Sequence, residues 1–319
     1  MPSSADNSLS SLTTEQQNVA SQALDKKSAL EIAAIINEED AKVAAAVSKA
    51  VPQIAQAIDA IADALVRGGR LIYIGAGTSG RIAALDAAEC PPTFGTDPKQ
   101  VQFVIAGGEK ALGRAVEANE DSTELGERDL SKLKPSKKDV IVGIAASGRT
   151  PYTVAAVQYA KKKGAKTIGV SCNASSPLAL AADIAITAEV GPEVVSGSTR
   201  MKAGTAQKMI LNMLTTGAMT RLGYVYGNLM VNVSPKNKKL VERAITILSQ
   251  AASIHREQAR DALEASGRSV PLALIMLKGE VGLSEAKRRL KSANGNVRRA
   301  IESSGSAKPS GSRSLPRKR

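Results

Sequence analysis

Aromatic residues make up only 2% of this 319-residue sequence, and tryptophan is absent. Proteins that bind single-stranded nucleic acid stack the bases on exposed aromatic side chains, so the composition argues against that class. The core must instead be built from alanine, valine, isoleucine, leucine and methionine. An apolar fraction of 43% is ordinary for a globular protein and is enough for a sizeable core.

Histidine and cysteine are equally scarce. The single histidine, His255, lies in a helical pattern beside Arg256 and Glu257, where a partly exposed structural role is the simplest interpretation. Histidine-dependent catalysis and multi-histidine metal sites would all rest on this residue, so acid–base chemistry is expected from carboxylates. Cys90 and Cys172 form neither a disulfide framework nor a zinc-type spacing. No metal site is expected.

Long apolar runs are also missing. Residues 1–11 are polar and lack the apolar segment of a signal peptide, and no run reaches the length of a membrane span. We therefore expect a cytoplasmic protein without a membrane partner.

The net charge of +13 comes mainly from the C-terminal end. The final residues 303–319 contain five basic side chains and no acidic one. A short basic tail without interleaved aromatics is typical of a solubilising segment, so a nucleic-acid partner is not expected. Salt-dependent DNA binding that is lost when the tail is deleted would instead support a nucleic-acid partner.

Strand and helix patterns alternate through the middle of the chain, which is typical of βαβ units and a parallel sheet. We predict an α/β fold: a three-layer sandwich with a parallel sheet, N-terminal helices and a small C-terminal helical bundle. The predicted strands are 71–74, 101–105, 140–144, 167–170 and 184–187. The predicted organisation is a mobile segment at 1–27, the α/β domain with flanking helices at 28–266, a three-helix module at 267–302 and a disordered basic tail at 303–319.

The pattern of apolar residues also predicts where three helices end. The pattern predicts a helix over 110–119 and a single helix over 238–266. The helix after the first strand is predicted to stop at Cys90, because Pro91 and Pro92 follow it.

Two polar loops follow apolar strands and open helices, where helix N-termini and hydroxyl groups suit an anion such as a phosphate. A third polar segment precedes a long helix over 201–222, where it either caps the helix or complements an anionic substrate. The candidate binding residues are Thr78, Ser79, Gly80 and Arg81 in the first loop, Ser147, Gly148, Arg149 and Thr150 in the second, and Ser198, Arg200 and Lys202 in the third segment.

The first loop also matches the G-x-G-x-x-G pattern of dinucleotide-binding proteins. That site needs an acidic residue at the end of the next strand, whereas here residues 106–108 are Ala-Gly-Gly. Dinucleotide binding is therefore disfavoured. Two ordinary strand-to-helix turns with capping residues remain a second alternative.

Two carboxylates are candidates for acid–base chemistry. Glu89 lies near the end of the helix that the first loop opens, where rigid placement and partial desolvation would raise its pKa. Glu120 follows the predicted helix at 110–119. Spacing alone makes Glu120 an ordinary solvated residue.

Several long strings resemble one family closely. GAGTSGR, LDAAECPPTFGT, GIAASGRTPY and VSGSTRMKAGTAQKM are similar to segments of the N-acetylmuramic acid 6-phosphate etherases, and the resemblance extends from about Ser10 to Glu302. It implies a sugar isomerase (SIS) domain, a homodimer, and no metal or organic cofactor. It also implies cleavage of a D-lactyl ether from a phosphosugar substrate during cell-wall recycling.

In that family, the acid–base carboxylates correspond to Glu89, as the acid toward lactate, and Glu120, as the base. Ser79 and Ser147 correspond to phosphosugar-binding positions. The chain departs from the family pattern at residues 82–84, which are Ile-Ala-Ala, and at Ala88, where serine is common.

The main alternative is a regulator without catalysis. Glucokinase regulatory proteins share SIS-type motifs and bind phosphosugars as effectors, but they contain two SIS copies on a longer chain. A single copy that retains both Glu89 and Glu120 favours the enzyme.

Overall fold

The structure is a computed structural model that describes residues 13–114, 116, 119–233, 235 and 237–303. These residues form two compact units that divide after Arg221, with residues 93–95 belonging to the second unit. The predicted tail, apart from Ser303, and residues 1–12 of the predicted mobile segment lie outside the described residues.

A five-stranded parallel sheet forms the centre of the first unit, in the order β2-β1-β3-β4-β5. Strands β1 and β3 are buried along their whole length. Their continuous apolar sequences suit a sheet that is covered on both faces. The predicted α/β fold is confirmed. The strands are β1 (Leu71–Gly75), β2 (Val101–Ile105), β3 (Val140–Ile144), β4 (Lys166–Ser171) and β5 (Ile184–Thr187).

Helices precede, connect and follow the strands. Before the sheet lie α1 (Ala29–Asp40), α2 (Val43–Ser48) and α3 (Val51–Val66). The connecting helices are α4 (Gly77–Phe94), α5 (Lys110–Gly113), α6 (Thr123–Ser131), α7 (Pro151–Lys162) and α8 (Pro177–Ala181), and α9 (Lys202–Leu222) follows the last strand.

Two predicted helix boundaries in this unit are wrong. Helix α4 continues through Pro91 and Pro92 to Phe94, although neither proline can donate a backbone hydrogen bond. The predicted helix at 110–119 is reduced to α5, because Arg114 is extended. Glu120 consequently lies in the connection between α5 and α6 and not at the end of a long helix.

The N-terminal segment contains three short 3-10 helices at Thr13–Glu15, Val19–Ser21 and Leu24–Lys26. Thr14 is buried, and Asn18 caps the second of these helices by accepting a hydrogen bond from the Ala20 N–H. Residues 13–27 fall within the segment that was predicted to be mobile, and this packing favours a docked segment instead.

The second unit is helical around its own apolar core, which includes Leu248, Leu263 and Leu274. Its helices are α10 (Lys238–Ala252), α11 (Arg256–Ala265), α12 (Val270–Gly279), α13 (Leu283–Ser292) and α14 (Val297–Glu302), with a short hairpin of β6 (Val225–Tyr226) and β7 (Leu229–Met230). The single helix predicted over 238–266 is wrong, because Ser253 adopts a left-handed conformation that ends α10.

This unit contains more of the chain than the predicted module at 267–302, since α10 and α11 share its core. No helix among the described residues is long and apolar enough to cross a membrane.

Candidate active site

The chain changes direction at the centre of the sheet. β1 and β3 are neighbours, but β1 leads through α4 to β2 on one side, whereas β3 leads through α7 to β4 on the other. Parallel sheets bind ligands at such a switch point, beyond the carboxyl ends of the strands. Gly75 and Ile144 are paired in register, so the two polar loops predicted from the sequence begin side by side.

The first loop turns directly into α4. Ser79 and Gly80 are buried, and Thr78 is half-buried. A Cβ atom added to Gly80 would lie 2.5 Å from Cγ1 of Ile105, so only glycine allows α4 to approach β2 this closely. The free N–H groups of the first helical turn therefore lie at the switch point, where an anion would be stabilised.

The guanidinium of Arg81 is bound to backbone carbonyl oxygens of the protein. Its Nε donates to the carbonyl oxygens of Ala111 and Leu112 at 3.0 and 3.3 Å, and its NH2 donates to that of Arg114 at 2.8 Å. These bonds fix the segment around α5, which leads toward Glu120. The arrangement favours a positioning role for Arg81 over direct contact with a phosphate.

The second loop is closed by Gly148, whose φ of +68° lies in the left-handed region. A Cβ atom there would overlap the side chain of Ser176. The half-buried Ser147 accepts a hydrogen bond from the Arg149 N–H at 3.2 Å. Thr150 stands at the N-cap of α7 without using its side chain as the cap. The hydroxyls of Ser147 and Thr150 thus lie at a second helix N-terminus.

Asn173, which was not predicted from the sequence as a site residue, holds this loop in place. Its Nδ2 donates to the carbonyl oxygens of Ala146 and Ser147 at 3.3 and 3.5 Å, and to Oγ1 of Thr14 at 3.2 Å. Asn173 follows β4, so the strand-end rule that identified the other two loops would also have found it. The contact with Thr14 places the N-terminal segment against the second loop.

Glu120 lies between the two loops. Its carboxylate oxygen Oε1 would lie 3.2 Å from a Cβ atom added to Gly77, and its carbonyl oxygen accepts a hydrogen bond from the Tyr152 N–H at 3.0 Å. The side chain is half-buried. The connection after β2 therefore brings a carboxylate to the switch point.

Glu89 lies elsewhere on the same chain. It is exposed on α4, twelve residues after Gly77, which corresponds to about 18 Å along the helix axis. Even with both side chains extended toward each other, the carboxylates of Glu89 and Glu120 remain on the order of 10 Å apart by that helix geometry. The structure does not bring the two predicted catalytic residues together within one chain.

A buried polar network anchors α4 one turn before Glu89. Asp86 accepts hydrogen bonds from the Tyr73 hydroxyl at 2.8 Å and the Thr215 hydroxyl at 3.2 Å, which tie α4 to β1 and α9. Burial raises the pKa of Asp86. Burial and nearby Asp86 also raise the pKa of Cys90 to about 12, so its thiol remains protonated at neutral pH.

The three candidate residues of the third polar segment differ in how deeply they are buried. Ser198 is half-buried, and Arg200 is exposed just before α9. Lys202 is only 2% exposed, and its Nζ donates to Oε2 of Glu39 on α1 at 2.6 Å. Buried Glu39 also accepts from Lys42 and Asn18. In this arrangement the ammonium of Lys202 is already paired, which favours a structural role over phosphate binding.

Substitution of Lys202 by methionine is expected to lower the free energy of unfolding by about 3–5 kcal/mol, because it leaves the Glu39 carboxylate buried without its main partner. Urea denaturation at pH 7 measures this change. The exposed neighbour provides the control: Arg200→Met should change stability by less than about 0.5 kcal/mol.

The loss of stability in Lys202→Met should also depend on pH. Burial raises the pKa of Glu39, but hydrogen bonds from Lys202, Lys42 and Asn18 outweigh it and lower the pKa from 4.5 to about 2. The pair therefore stabilises the fold fully above pH 4.5, and this contribution is lost as the pH falls through about 2. The difference in the free energy of unfolding between wild type and Lys202→Met should therefore become smaller as the pH falls from 4.5 to about 2. A difference that stays constant with pH would contradict the role of the pair.

Among the described residues, no group of three or more His, Cys, Asp and Glu side chains is arranged to hold a metal ion. The groups gathered at the switch point are instead helix N-termini, hydroxyls and one carboxylate.

Comparison with known proteins identifies the domain type. The profile of the glucokinase regulatory protein N-terminal SIS domain matches residues 53–161, and the SIS domain profile matches residues 117–217. A phosphoheptose isomerase from Francisella tularensis is 20% identical, with a TM-score of 0.47, and covers 61% of this chain and 100% of that one. A structural similarity with this TM-score and identity does not contribute to the identification of the family.

Sequence relatives are much more similar. The N-acetylmuramic acid 6-phosphate etherase of Photobacterium profundum is 54% identical over 293 residues, covering 92% of this chain and 97% of the relative. N-acetylmuramic acid 6-phosphate etherase 1 of Enterococcus faecalis is 51% identical over 289 residues, covering 91% and 96%. At this identity over nearly the whole of each sequence, the chain belongs to the N-acetylmuramic acid 6-phosphate etherase family.

Proposed function

We propose that the chain cleaves the D-lactyl ether of N-acetylmuramic acid 6-phosphate and releases N-acetylglucosamine 6-phosphate and D-lactate. The observation that carries this proposal is the position of the Glu120 carboxylate beside Gly77, above two loops suited to a phosphate, in a chain of the etherase family. The reaction would serve cell-wall recycling in the cytoplasm.

The two loops supply the phosphate site. The N-termini of α4 and α7 converge at the switch point, and their N–H groups and helix dipoles favour an anion. Ser147 accepts from a backbone N–H, so its own proton can be donated to a phosphate oxygen. Ser79 and Thr150 add further hydroxyls. Gly80 and Gly148 allow the two loops to pack closely against Ile105 and Ser176, which holds them at the switch point.

The chemistry needs a base and an acid. In the open-chain sugar, C2 lies α to the C1 aldehyde, so its proton is acidic. The ether oxygen on C3 lies β to the aldehyde, so it can leave when that proton is removed. We assign Glu120 as the base that takes this proton, and Glu89 as the acid that protonates the lactate oxygen as the C3–O bond breaks. Water then adds to the unsaturated aldehyde, with hydroxyl on C3 and hydrogen on C2. These steps require neither a metal nor an organic cofactor.

The separation of the carboxylates supports a homodimer. C2 and the oxygen on C3 belong to adjacent carbons, so an acid and a base in hydrogen-bond contact with them lie within about 8 Å of each other. Glu89 and Glu120 of one chain are too far apart for this. We therefore assign the acid to Glu89 of a second copy, which its exposure on α4 permits.

Two-fold symmetry would then make both sites alike. If Glu89 of each copy acts in the active site of the other, the two-fold axis of the dimer passes between the positions of Glu89 and Glu120 on the surface of one copy. A cavity of about 810 Å³ lies along β2 and is lined by Ala88 and Pro91 of α4 and by Gly107 and Asn119 of the connection after β2. Its half-exposed strand residues, such as Phe103, are the surface that the second copy would cover.

Release of D-lactate from N-acetylmuramic acid 6-phosphate by the wild-type protein tests the function directly. Continuous detection of lactate should show turnover without added metal. Phosphosugar binding without any lactate release would overturn the proposal and favour the non-catalytic regulator, whose SIS profile this chain also matches.

A further inference from the structure

One buried amide in the first unit has no partner. Gln207 on α9 is 1% exposed, and neither its Nε2 nor its Oε1 has a hydrogen-bond partner among the described residues. The surrounding positions on this face of α9 are small or apolar, such as Ala203, Ile210 and Leu214. A glutamine in such a stripe has no packing advantage over methionine or leucine.

Other buried amides in the same unit are paired. Asn173 donates to three acceptors, and Asn18 donates to Glu39 and to the carbonyl oxygen of Pro192. A buried polar group without a partner costs its full desolvation penalty, so natural structures rarely keep one without a use. Gln207 is therefore exceptional in having both ends of its amide unmatched.

The position of Gln207 on α9 places its side chain over the turn of the helix that contacts the first loop. Helical side chains lean over the preceding turn, which here contains Ala203 and Gly204. That turn touches the first loop: a Cβ atom added to Gly204 would lie 3.5 Å from Cγ2 of Thr78 and 3.6 Å from Cδ1 of Ile82. The amide consequently lies on the side of α9 that faces the start of α4.

We propose that Gln207 is a substrate-binding residue whose amide pairs with oxygen atoms of the bound sugar. An amide presents a donor and an acceptor together, and the neighbouring hydroxyls of an open-chain sugar phosphate can satisfy both. The residue contributes to recognition of the hydroxylated carbon chain, while the two loops hold the phosphate. The identity of the sugar rests on the proposed function; the binding role of Gln207 does not depend on turnover.

The test compares Gln207→Met with wild type in the full-length protein, using N-acetylglucosamine 6-phosphate as the probe. Methionine keeps the length and unbranched shape of the side chain but removes both polar atoms. The Kd from calorimetry is expected to rise by about 10–100-fold, as for the loss of one or two hydrogen bonds to a ligand. The urea midpoint of the unliganded protein should stay the same or rise, because an unpaired amide has been removed.

Thr96→Val is the matched control. The Thr96 hydroxyl is also buried without a partner, but it precedes β2, at the opposite edge of the sheet from the loops. Thr96→Val should leave the Kd for N-acetylglucosamine 6-phosphate unchanged.

A Kd for Gln207→Met within threefold of wild type would overturn the proposal, as would a clearly lower urea midpoint, which would mark the amide as structural. Wild type that binds the probe but releases no lactate would refute the etherase function while the Kd ratio still decides the role of Gln207. Wild type that does not bind the probe would refute both.

Discussion

Glu120→Gln is expected to lower kcat/KM for lactate release by about 10²–10⁴-fold, and Glu89→Gln by a similar factor, which is the usual worth of a positioned general acid or base. Glutamine keeps the shape of each side chain but can neither accept the C2 proton nor donate one to lactate. The loss should appear mainly in kcat, because the phosphate is held by the loops around Ser79 and Ser147. Steady-state kinetics on purified variants measures the effect.

The adjacent residue gives a control for Glu120. Asp121 is an exposed carboxylate one position later, so Asp121→Asn changes the local charge by the same amount without touching the switch point. Its kcat/KM should stay within about threefold of wild type, as expected for a surface substitution. Turnover near the wild-type level in Glu120→Gln would remove the base from the mechanism.

A mixture of the two inactive variants is expected to recover about one quarter of the wild-type activity, if copies assort at random into symmetric dimers. Half of the dimers then contain one chain of each kind. In such a dimer, one site combines the intact Glu89 of one chain with the intact Glu120 of the other, while the second site lacks both carboxylates. Co-expression with two different tags, followed by purification through both, isolates the mixed dimer, which should retain about half of the activity.

The same experiment distinguishes a site built within one chain. There, each chain of the mixed dimer carries one neutral amide, so no site is intact and no activity returns. A dimer of Glu89→Gln with the double variant Glu89→Gln/Glu120→Gln is the control, since it lacks an intact site in either arrangement. Recovery by the control would indicate contamination with wild-type enzyme.

The sheet and the two loops could be predicted because their determinants are local. Continuous apolar runs such as VIVGI mark buried parallel strands, and the polar loop after each run marks the ligand edge. The helix ends were less predictable. Pro91 and Pro92 normally stop a helix, but α4 is held on both sides by the Asp86 network, and tertiary contacts override the local preference.

Long-range pairing accounts for most of what the sequence could not reveal. Lys202 belongs to a basic segment beside the site, and only the fold shows that Glu39, 163 residues away in sequence, neutralises it. The separation of Glu89 from Glu120 likewise depends on the length of α4 and the path after β2. Gln207 carried a usable signal, a lone amide in a stripe of small and apolar positions, which was visible before the fold was known.

The contact between Thr14 and Asn173 has a consequence for synthesis in the cell. Thr14 leaves the ribosome before its partner Asn173, which follows 159 residues later. At typical elongation rates of 5–20 residues per second, the N-terminal segment waits roughly 8–30 s before its docking surface exists. During this interval the segment around Thr14 is accessible to proteases and chaperones, because the surface that it packs against has not yet been made.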